Sequence, residues 1–158
     1  MTKLMALAVA LLVAAPAFAQ TNINLGGIRA DSSAPVEVAA DSLSIDQDSG
    51  TAVFTGNVVV GQGDLRLSAG SVRVVYSDET GDIAQLIASD GVTFVTDTEA
   101  AEAQNAVYNL VTGVLTLTGD VLLTQGATAL SAERMTVNIN TGAAQMSGRV
   151  RTVFQQGN

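Results

Sequence analysis

Residues 54–69 read FTGNVVVGQGDLRLSA and residues 117–132 read LTGDVLLTQGATALSA, so the chain carries one short pattern twice. Both copies belong to a longer phrase that recurs four times from residue 36 onwards. The phrase consists of an alanine strand, a turn that closes on Ser-Gly or Thr-Gly, and an apolar strand followed by Gly-Val or Gly-x-Val. Its alanines lie 29, 34 and 29 residues apart and are Ala40, Ala69, Ala103 and Ala132. A fixed period of about 30 residues is typical of repeat architectures.

Within each repeat, apolar and polar residues alternate, as in residues 65–69. Alternation with a period of two is the pattern of a strand with one buried face. The turns agree, since Asp-Ser-Gly at 48–50 and Asn-Thr-Gly at 140–142 place glycine where a positive φ is needed. Residues 97–105 have helical propensity, but Ala103 keeps the repeat period, so we predict a strand there. The sequence thus predicts an all-β protein with roughly two strands per repeat.

The first nineteen residues predict a secretory signal peptide. Lys3 provides a positive charge, residues 4–15 are apolar, and Ala17-Phe18-Ala19 fits a cleavage site with the cut after Ala19. The apolar run is too short for a transmembrane helix. No cysteine lies near the cut, so we expect no lipid anchor. These features predict an exported protein.

Three further segments are expected after the cut. Residues 20–35 show no sustained period and predict a flexible leader with one short edge strand around residues 23–25. Residues 36–154 carry the repeats and form the β domain. Residues 155–158 form a short tail. The chain that remains after the cut has the length of one domain.

Composition excludes several classes of function. The chain has fifteen Asp and Glu against seven Lys and Arg, a net charge of −8, and it has no cysteine and no histidine. Nucleic-acid binding relies on Lys and Arg that neutralise phosphates, so we expect no nucleic-acid partner. Triads with histidine, Cys/His pairs and nearly all zinc sites are impossible. Most carboxylates lie in turns or at strand ends. We therefore expect no catalytic residue, no cofactor and no metal.

The apolar face is the remaining candidate for a working surface. Its aliphatic residues either fill a closed core or line a groove for alkyl chains, and the residues alone leave both possibilities open. Burying one methylene contributes ~0.8 kcal/mol, so a chain of twelve to fourteen carbons offers on the order of 10 kcal/mol. An exposed ion pair contributes only about 0–1 kcal/mol. A charged lipid would therefore be bound by its tails rather than by its headgroup.

Residues 36–46, VEVAADSLSID, together with the two Thr-Gly-(Asn/Asp)-Val and Gln-Gly motifs, resemble the LptA/OstA-like family of periplasmic lipopolysaccharide transport proteins. The resemblance covers residues 36 to about 153. It implies a slightly twisted β-jellyroll of short antiparallel strands, with an open V-shaped apolar interior that holds lipid A acyl chains. It also implies head-to-tail stacking into a bridge between the two membranes. Well-known members end in a lysine-rich tail, whereas this sequence stops at Asn158.

The resemblance also implies partners and site residues. The partners are lipopolysaccharide, bound through lipid A, and the inner-membrane transporter-associated and outer-membrane members of the same system. The family's lipid-contacting positions correspond here to Val36, Val38, Phe94, Tyr108 and Leu110. The alternation of apolar residues adds three further candidates, which are Leu67, Leu117 and Leu123.

The fourth repeat ends at residues 150–154 without a following alanine strand, which predicts an open sheet edge. An unpaired edge is a template for another chain, and the strand at residues 36–40 could supply the matching edge of a second copy. If Arg149 and Arg151 protect the edge, the dilute protein is instead a monomer.

Two functions remain. One is a lipopolysaccharide relay, and the other is a structural or adhesive β-repeat module of the cell envelope with a filled core and no lipid.

Overall fold

The structure, a computed structural model, describes residues 21–24 and 33–154. The predicted signal peptide and tail lie outside these residues. All pairings among the described strands are antiparallel, which confirms the all-β prediction. The strands are β1 Thr21–Asn24, β2 Glu37–Ala39, β3 Ser42–Asp46, β4 Thr51–Gln62, β5 Leu65–Tyr76, β6 Ile83–Ser89, β7 Val92–Val95, β8 Glu99–Ala103, β9 Asn105–Asn109, β10 Val114–Gln125, β11 Thr128–Asn138, β12 Ala143–Ser147 and β13 Arg151–Phe154.

Within the part of the chain that the structure describes, no helix is long and apolar enough to cross a membrane.

Four long strands divide the fold into two layers, because each pairs with different neighbours along its two halves. β4 pairs with β3 and β2, β5 with β6 and β7, β10 with β9 and β8, and β11 with β12 and β13. The first layer therefore runs β2-β4-β5-β7-β8-β10-β11-β13. The second layer runs β3-β4-β5-β6-β9-β10-β11-β12-β1. Two layers joined by shared strands form the β-jellyroll.

The Thr-Gly-(Asn/Asp)-Val motifs are the corners where long strands pass from one layer to the other. β4 bends at Gly56 and Asn57, which have φ values of 83° and 47°, and β10 bends at Gly119 and Asp120, with 83° and 48°. The ladder register shifts at both places, as in a β-bulge. Glycine and Asn or Asp are the residues that adopt positive φ most readily. The motif is thus a bend signal.

The residue after a repeat alanine contacts the corner of the neighbouring strand. Asn57 Nδ2 donates to Asp41 Oδ2 at 2.9 Å, and Gln104 Nε2 donates to Asp120 Oδ2 at 3.0 Å. The backbone N–H of Glu133 donates to the carbonyl of residue 148 at 2.9 Å. These corners lie side by side and close one side of the jellyroll, which we call the seam. The hairpin turns of both layers lie on the opposite side, which we call the mouth.

Three repeat alanines are each preceded, eleven residues earlier, by a valine, and these valine–alanine pairs lie at the seam. Each valine and alanine of a pair are direct cross-strand partners, and all of these side chains are buried. A small residue opposite a β-branched one lets the two layers converge beside each corner. The pairs are Val58–Ala69, Val92–Ala103 and Val121–Ala132.

The Ser-Gly and Thr-Gly turns of the second layer form part of the mouth. Asp46, Asn109 and Asn138 each accept two backbone N–H groups, from the residues two and three positions further on. Such side-chain bonds stabilise the turn locally. At the exposed Asp46 carboxyl, the bonds from the Ser49 backbone and side chain and from the backbone of Asp48 lower the pKa below its ordinary value.

Three details differ from the sequence predictions. The described chain has more than two strands per repeat, because corners such as residues 40–41 and 90–91 divide bent strands into separate ones. The alternation of apolar residues also predicts that Leu43 and Ile45 lie on the buried face, yet they are 50% and 66% exposed. Their pairing with Phe54 and Ala52 places both residues on the inner face of the second layer. Among the described residues, however, no strand lies beyond β3 to cover them. The short strand expected around residues 23–25 forms at Thr21–Asn24 and pairs with β12.

Candidate functional site

The interior between the two layers is lined by rows of apolar side chains that run across the strands. In the first layer, each inward residue is the direct partner of the next along one row. The row consists of Val38, Val60, Leu67, Phe94, Ala101, Leu123 and Leu130. Seven neighbouring strands at about 4.8 Å spacing extend this row over about 30 Å.

The second layer has two such rows, and both begin at the exposed strand β3. The row nearer the mouth consists of Ile45, Ala52, Val74, Leu86, Tyr108, Leu115, Val137 and Ala144. The row nearer the seam consists of Leu43, Phe54, Val72, Ala88, Ala106, Leu117, Met135 and Met146. Apart from the Tyr108 hydroxyl, the residues of these rows carry no polar side-chain group between β3 and β12.

All eight predicted lipid-binding residues lie in this interior, in one cluster. Five of them are buried, namely Leu67, Phe94, Tyr108, Leu117 and Leu123. The other three are partly buried and pack against the cluster, namely Val36, Val38 and Leu110. Their inward orientation agrees with the sequence pattern, while lipid contact by these residues stays a prediction.

The protein's own side chains fill the central part of the interior. Phe94, Leu117 and Leu123 have 0% exposure. An alkyl chain can therefore contact these three residues only if the two layers separate. Since the seam is made of continuous strands and backbone hydrogen bonds, separation must begin at the mouth.

A buried polar contact joins the two layers at the mouth. Tyr108, on β9 of the second layer, donates its hydroxyl hydrogen to Gln62 Oε1 at 2.9 Å. Gln62, at the end of β4 in the first layer, donates from Nε2 to the Ala34 carbonyl at 3.1 Å. The side chains are 5% and 3% exposed. Burial raises the pKa of the Tyr108 hydroxyl above its ordinary value, so the hydroxyl remains a donor at neutral pH.

A second buried polar group lies on the mouth side of the first layer. The buried Glu99 carboxylate accepts hydrogen bonds from Thr96 Oγ1 at 2.9 Å, from Thr98 Oγ1, and from Gln125 Nε2 at 3.2 Å. Among the described residues, no buried side-chain N or O atom lacks a partner. These contacts satisfy a carboxylate that would otherwise be costly to bury.

Sequence reasoning missed the inward orientation of Gln62 and Glu99. The signal was present, because Gln62 lies in phase with Val60 and Glu99 lies in phase with Ala101 in the alternating pattern. Within the described ranges, no group of three or more His, Cys, Asp or Glu residues could hold a metal ion.

The chain is similar in sequence to lipopolysaccharide transport proteins. The model of the family "LptA/(LptD N-terminal domain) LPS transport protein" matches residues 37–143. An uncharacterized protein of Rhizobium meliloti is 32% identical over 152 residues, which cover 89% of this chain and 82% of that protein. The lipopolysaccharide export system protein LptH of Pseudomonas aeruginosa is 42% identical over 53 residues, or 34% of this chain and 30% of LptH.

The fold has a close structural counterpart. The crystal structure of LptH, the LptA homologous periplasmic component of the lipopolysaccharide transport device of Pseudomonas aeruginosa, matches with a TM-score of 0.72 and 19% identity. The match covers 80% of this chain and 99% of the LptH chain, and it supports the β-jellyroll. Because the family model spans the jellyroll from the first residue of β2 to the first residue of β12, the protein belongs to the LptA/(LptD N-terminal domain) family of lipopolysaccharide transport proteins.

Proposed function

We propose that this protein binds lipopolysaccharide through the acyl chains of lipid A and relays it across the periplasm, from the inner to the outer membrane, within a head-to-tail protein bridge. The observation that carries this proposal is the set of apolar rows that cross the jellyroll from the edge strands β2 and β3 to β11 and β12. A track of this kind suits an alkyl chain, since each buried methylene contributes ~0.8 kcal/mol. Family membership supports the same substrate.

The acyl chains would lie between the two layers, against Phe94, Tyr108 and the other six predicted residues. Their entry separates the layers at the mouth and replaces apolar contacts between layers by apolar contacts with lipid. This exchange changes the buried apolar area little, so the layers can open without a large loss of stability. Met135 and Met146 on the seam-side row are flexible and polarizable side chains that adapt to such a change.

The bridge would form through the edge strands at the two ends of the layers. At one end, β2 and β3 pair only with β4 among the described strands, and at the other end β13 pairs only with β11. A second copy, or the inner-membrane transporter-associated or outer-membrane member of the system, could continue the layers there. Such stacking would cover the exposed Leu43 and Ile45 and extend the apolar rows into the neighbouring domain. The predicted signal peptide and the periplasmic location of LptH support this location.

Photo-crosslinking in cells tests lipid binding. A photoreactive amino acid at Phe94 or Tyr108 should form an adduct with lipopolysaccharide, because both positions face the interior. The matched controls are Val95 and Val107, each one residue away and on the outer face of the same strand, which should form no adduct. The filled interior favours one alternative, a structural or adhesive module of the cell envelope. Absence of an adduct at every interior position would support that alternative.

The replacement Ile45→Glu tests stacking. We expect the average mass of the wild-type protein to rise with concentration in light scattering, and the variant to associate more weakly by roughly tenfold to a hundredfold, since burying an unpaired polar group costs about 1–3 kcal/mol. Ile45 is exposed, so the variant should fold normally. Val111→Glu is the control, because Val111 is exposed on a turn at the mouth and the change in charge is the same. A wild-type protein that stays monomeric at high concentration contradicts the proposal.

A further inference from the structure

The repeated motif places a glutamine at the mouth end of two long strands, Gln62 on β4 and Gln125 on β10. The two positions are equivalent in the repeat, but their hydrogen bonds differ. Gln125 donates to Glu99 on the neighbouring strand β8, within the first layer. Gln62 instead accepts from Tyr108, which lies 46 residues away in the second layer. Of these two hydrogen bonds, the one between Gln62 and Tyr108 crosses the mouth.

The amide of Gln62 joins three parts of the molecule. Its Oε1 binds the second layer through Tyr108, its own strand belongs to the first layer, and its Nε2 binds the Ala34 carbonyl. Ala34 lies three residues before β2, the edge strand at which the proposed bridge would dock. The side chains of Gln62 and Tyr108 are both buried, so water does not replace either of them as a hydrogen-bond partner while the layers are closed.

We propose that Gln62 and Tyr108 form a latch that closes the mouth in the absence of lipid and opens to admit an acyl chain. This inference rests on the proposed function, for which it identifies the gating contact. The layers must part at the mouth to expose Phe94, and this hydrogen bond joins the layers on that side. When it opens, water can solvate both the hydroxyl and the amide, so the contact is readily reversible.

The latch also links the mouth to the docking edge. The same amide orients the segment in front of β2, so docking of a second jellyroll at β2 and opening of the mouth affect one common side chain. A partner that displaces Ala34 removes one of the hydrogen bonds that position Gln62. We therefore expect docking at β2 to favour lipid entry.

The width of the mouth can be measured directly, because the chain contains no cysteine. Spin labels at Asp64→Cys and Thr112→Cys would lie on exposed turns of the first and second layer. In the lipid-free protein, Tyr108→Phe and Gln62→Leu should each lengthen and broaden the distance between the labels. Both variants should also bind purified rough lipopolysaccharide about two- to tenfold faster, the factor that corresponds to one net hydrogen bond.

Matched controls separate a latch from general loosening. Tyr76→Phe removes the hydroxyl of the other tyrosine, and Gln125→Leu changes the equivalent glutamine that makes no contact across the mouth. Neither should alter the distance or the association rate. The double variant Gln62→Leu/Tyr108→Phe should match Gln62→Leu, because the bond between Gln62 and Tyr108 is already lost in the single variant.

The proposal is overturned if both latch variants keep the wild-type distance and rate, or if Gln125→Leu opens the mouth as much as Gln62→Leu does. The distances between the labels in the lipid-free protein do not depend on the proposed function. If the wild-type protein captures no lipopolysaccharide, the proposed function fails, and the lipid-free distances still decide whether the contact closes the mouth.

Discussion

Replacing Phe94 by alanine should lower the free energy of unfolding by about 3–5 kcal/mol, the loss typical of a fully buried phenylalanine. Phe94 has 0% exposure and lies in the centre of the first-layer row, between Leu67 and Ala101. The methyl group of Ala101 is too short to fill the space that the ring leaves, so most of the cavity should persist. Whole domains are stable by only about 5–15 kcal/mol, so the effect is a large fraction of the total.

Urea unfolding followed by circular dichroism measures this loss. Val95→Ala is the matched control, because Val95 is the next residue, belongs to the same strand and is exposed on the outer face. It should change stability by no more than about 0.5 kcal/mol. A loss below about 1.5 kcal/mol for Phe94→Ala would contradict a closed interior, since truncating a ring that already borders an open groove removes fewer contacts.

Replacing Gly119 by alanine should destabilise the protein by about 2–4 kcal/mol, through two effects that act at the same corner. The backbone has a φ of 83°, which an L residue with a side chain adopts at a cost. A Cβ there would also lie 2.8 Å from Gln104 Cβ and 2.7 Å from Gln104 Oε1. Because Gln104 belongs to the junction between β8 and β9, any shift that relieves the overlap disturbs the seam.

The replacement Gly126→Ala isolates the backbone effect. Gly126 has a φ of 57°, and a Cβ built there meets no atom within 4 Å. Only the left-handed backbone conformation should contribute to the loss of stability in this variant, at about 1–2 kcal/mol. The difference between the two variants in thermal or urea unfolding then measures the close approach at the corner. Equal losses would show that the corner has room for a methyl group. Gly56, whose Cβ would lie 2.6 Å from Asp41 Oδ2, should behave like Gly119.

Much of the fold and of the site follows from local patterns in the sequence. Alternation assigned Leu67, Leu117 and Leu123 to one face, and the structure buries all three. The repeat period also overrode the helical propensity of residues 97–105, where the structure has β8. Strand formation and side-chain orientation depend on neighbours one and two positions away, so a single chain contains the information.

Other features depend on what lies opposite a strand. Leu43 and Ile45 carry the same alternation as the core residues, yet they are exposed because β3 is an edge strand. Alternation specifies a face but not whether another layer covers it. The sequence also leaves the number of strands open. A Gly-Asn or Gly-Asp pair marks a bend, but it does not indicate whether the hydrogen-bonded ladder continues through that bend.

The sequence by itself determined an all-β repeat protein with a continuous apolar face and turns at regular intervals, because these properties arise from backbone conformation and a period of two. The tertiary structure decided that the interior is closed and that Gln62 meets Tyr108 across the mouth. A contact between residues 46 positions apart in different layers depends on how the corners fold one layer over the other. Two glutamines at equivalent repeat positions therefore have different partners, and only the packing of the layers distinguishes them.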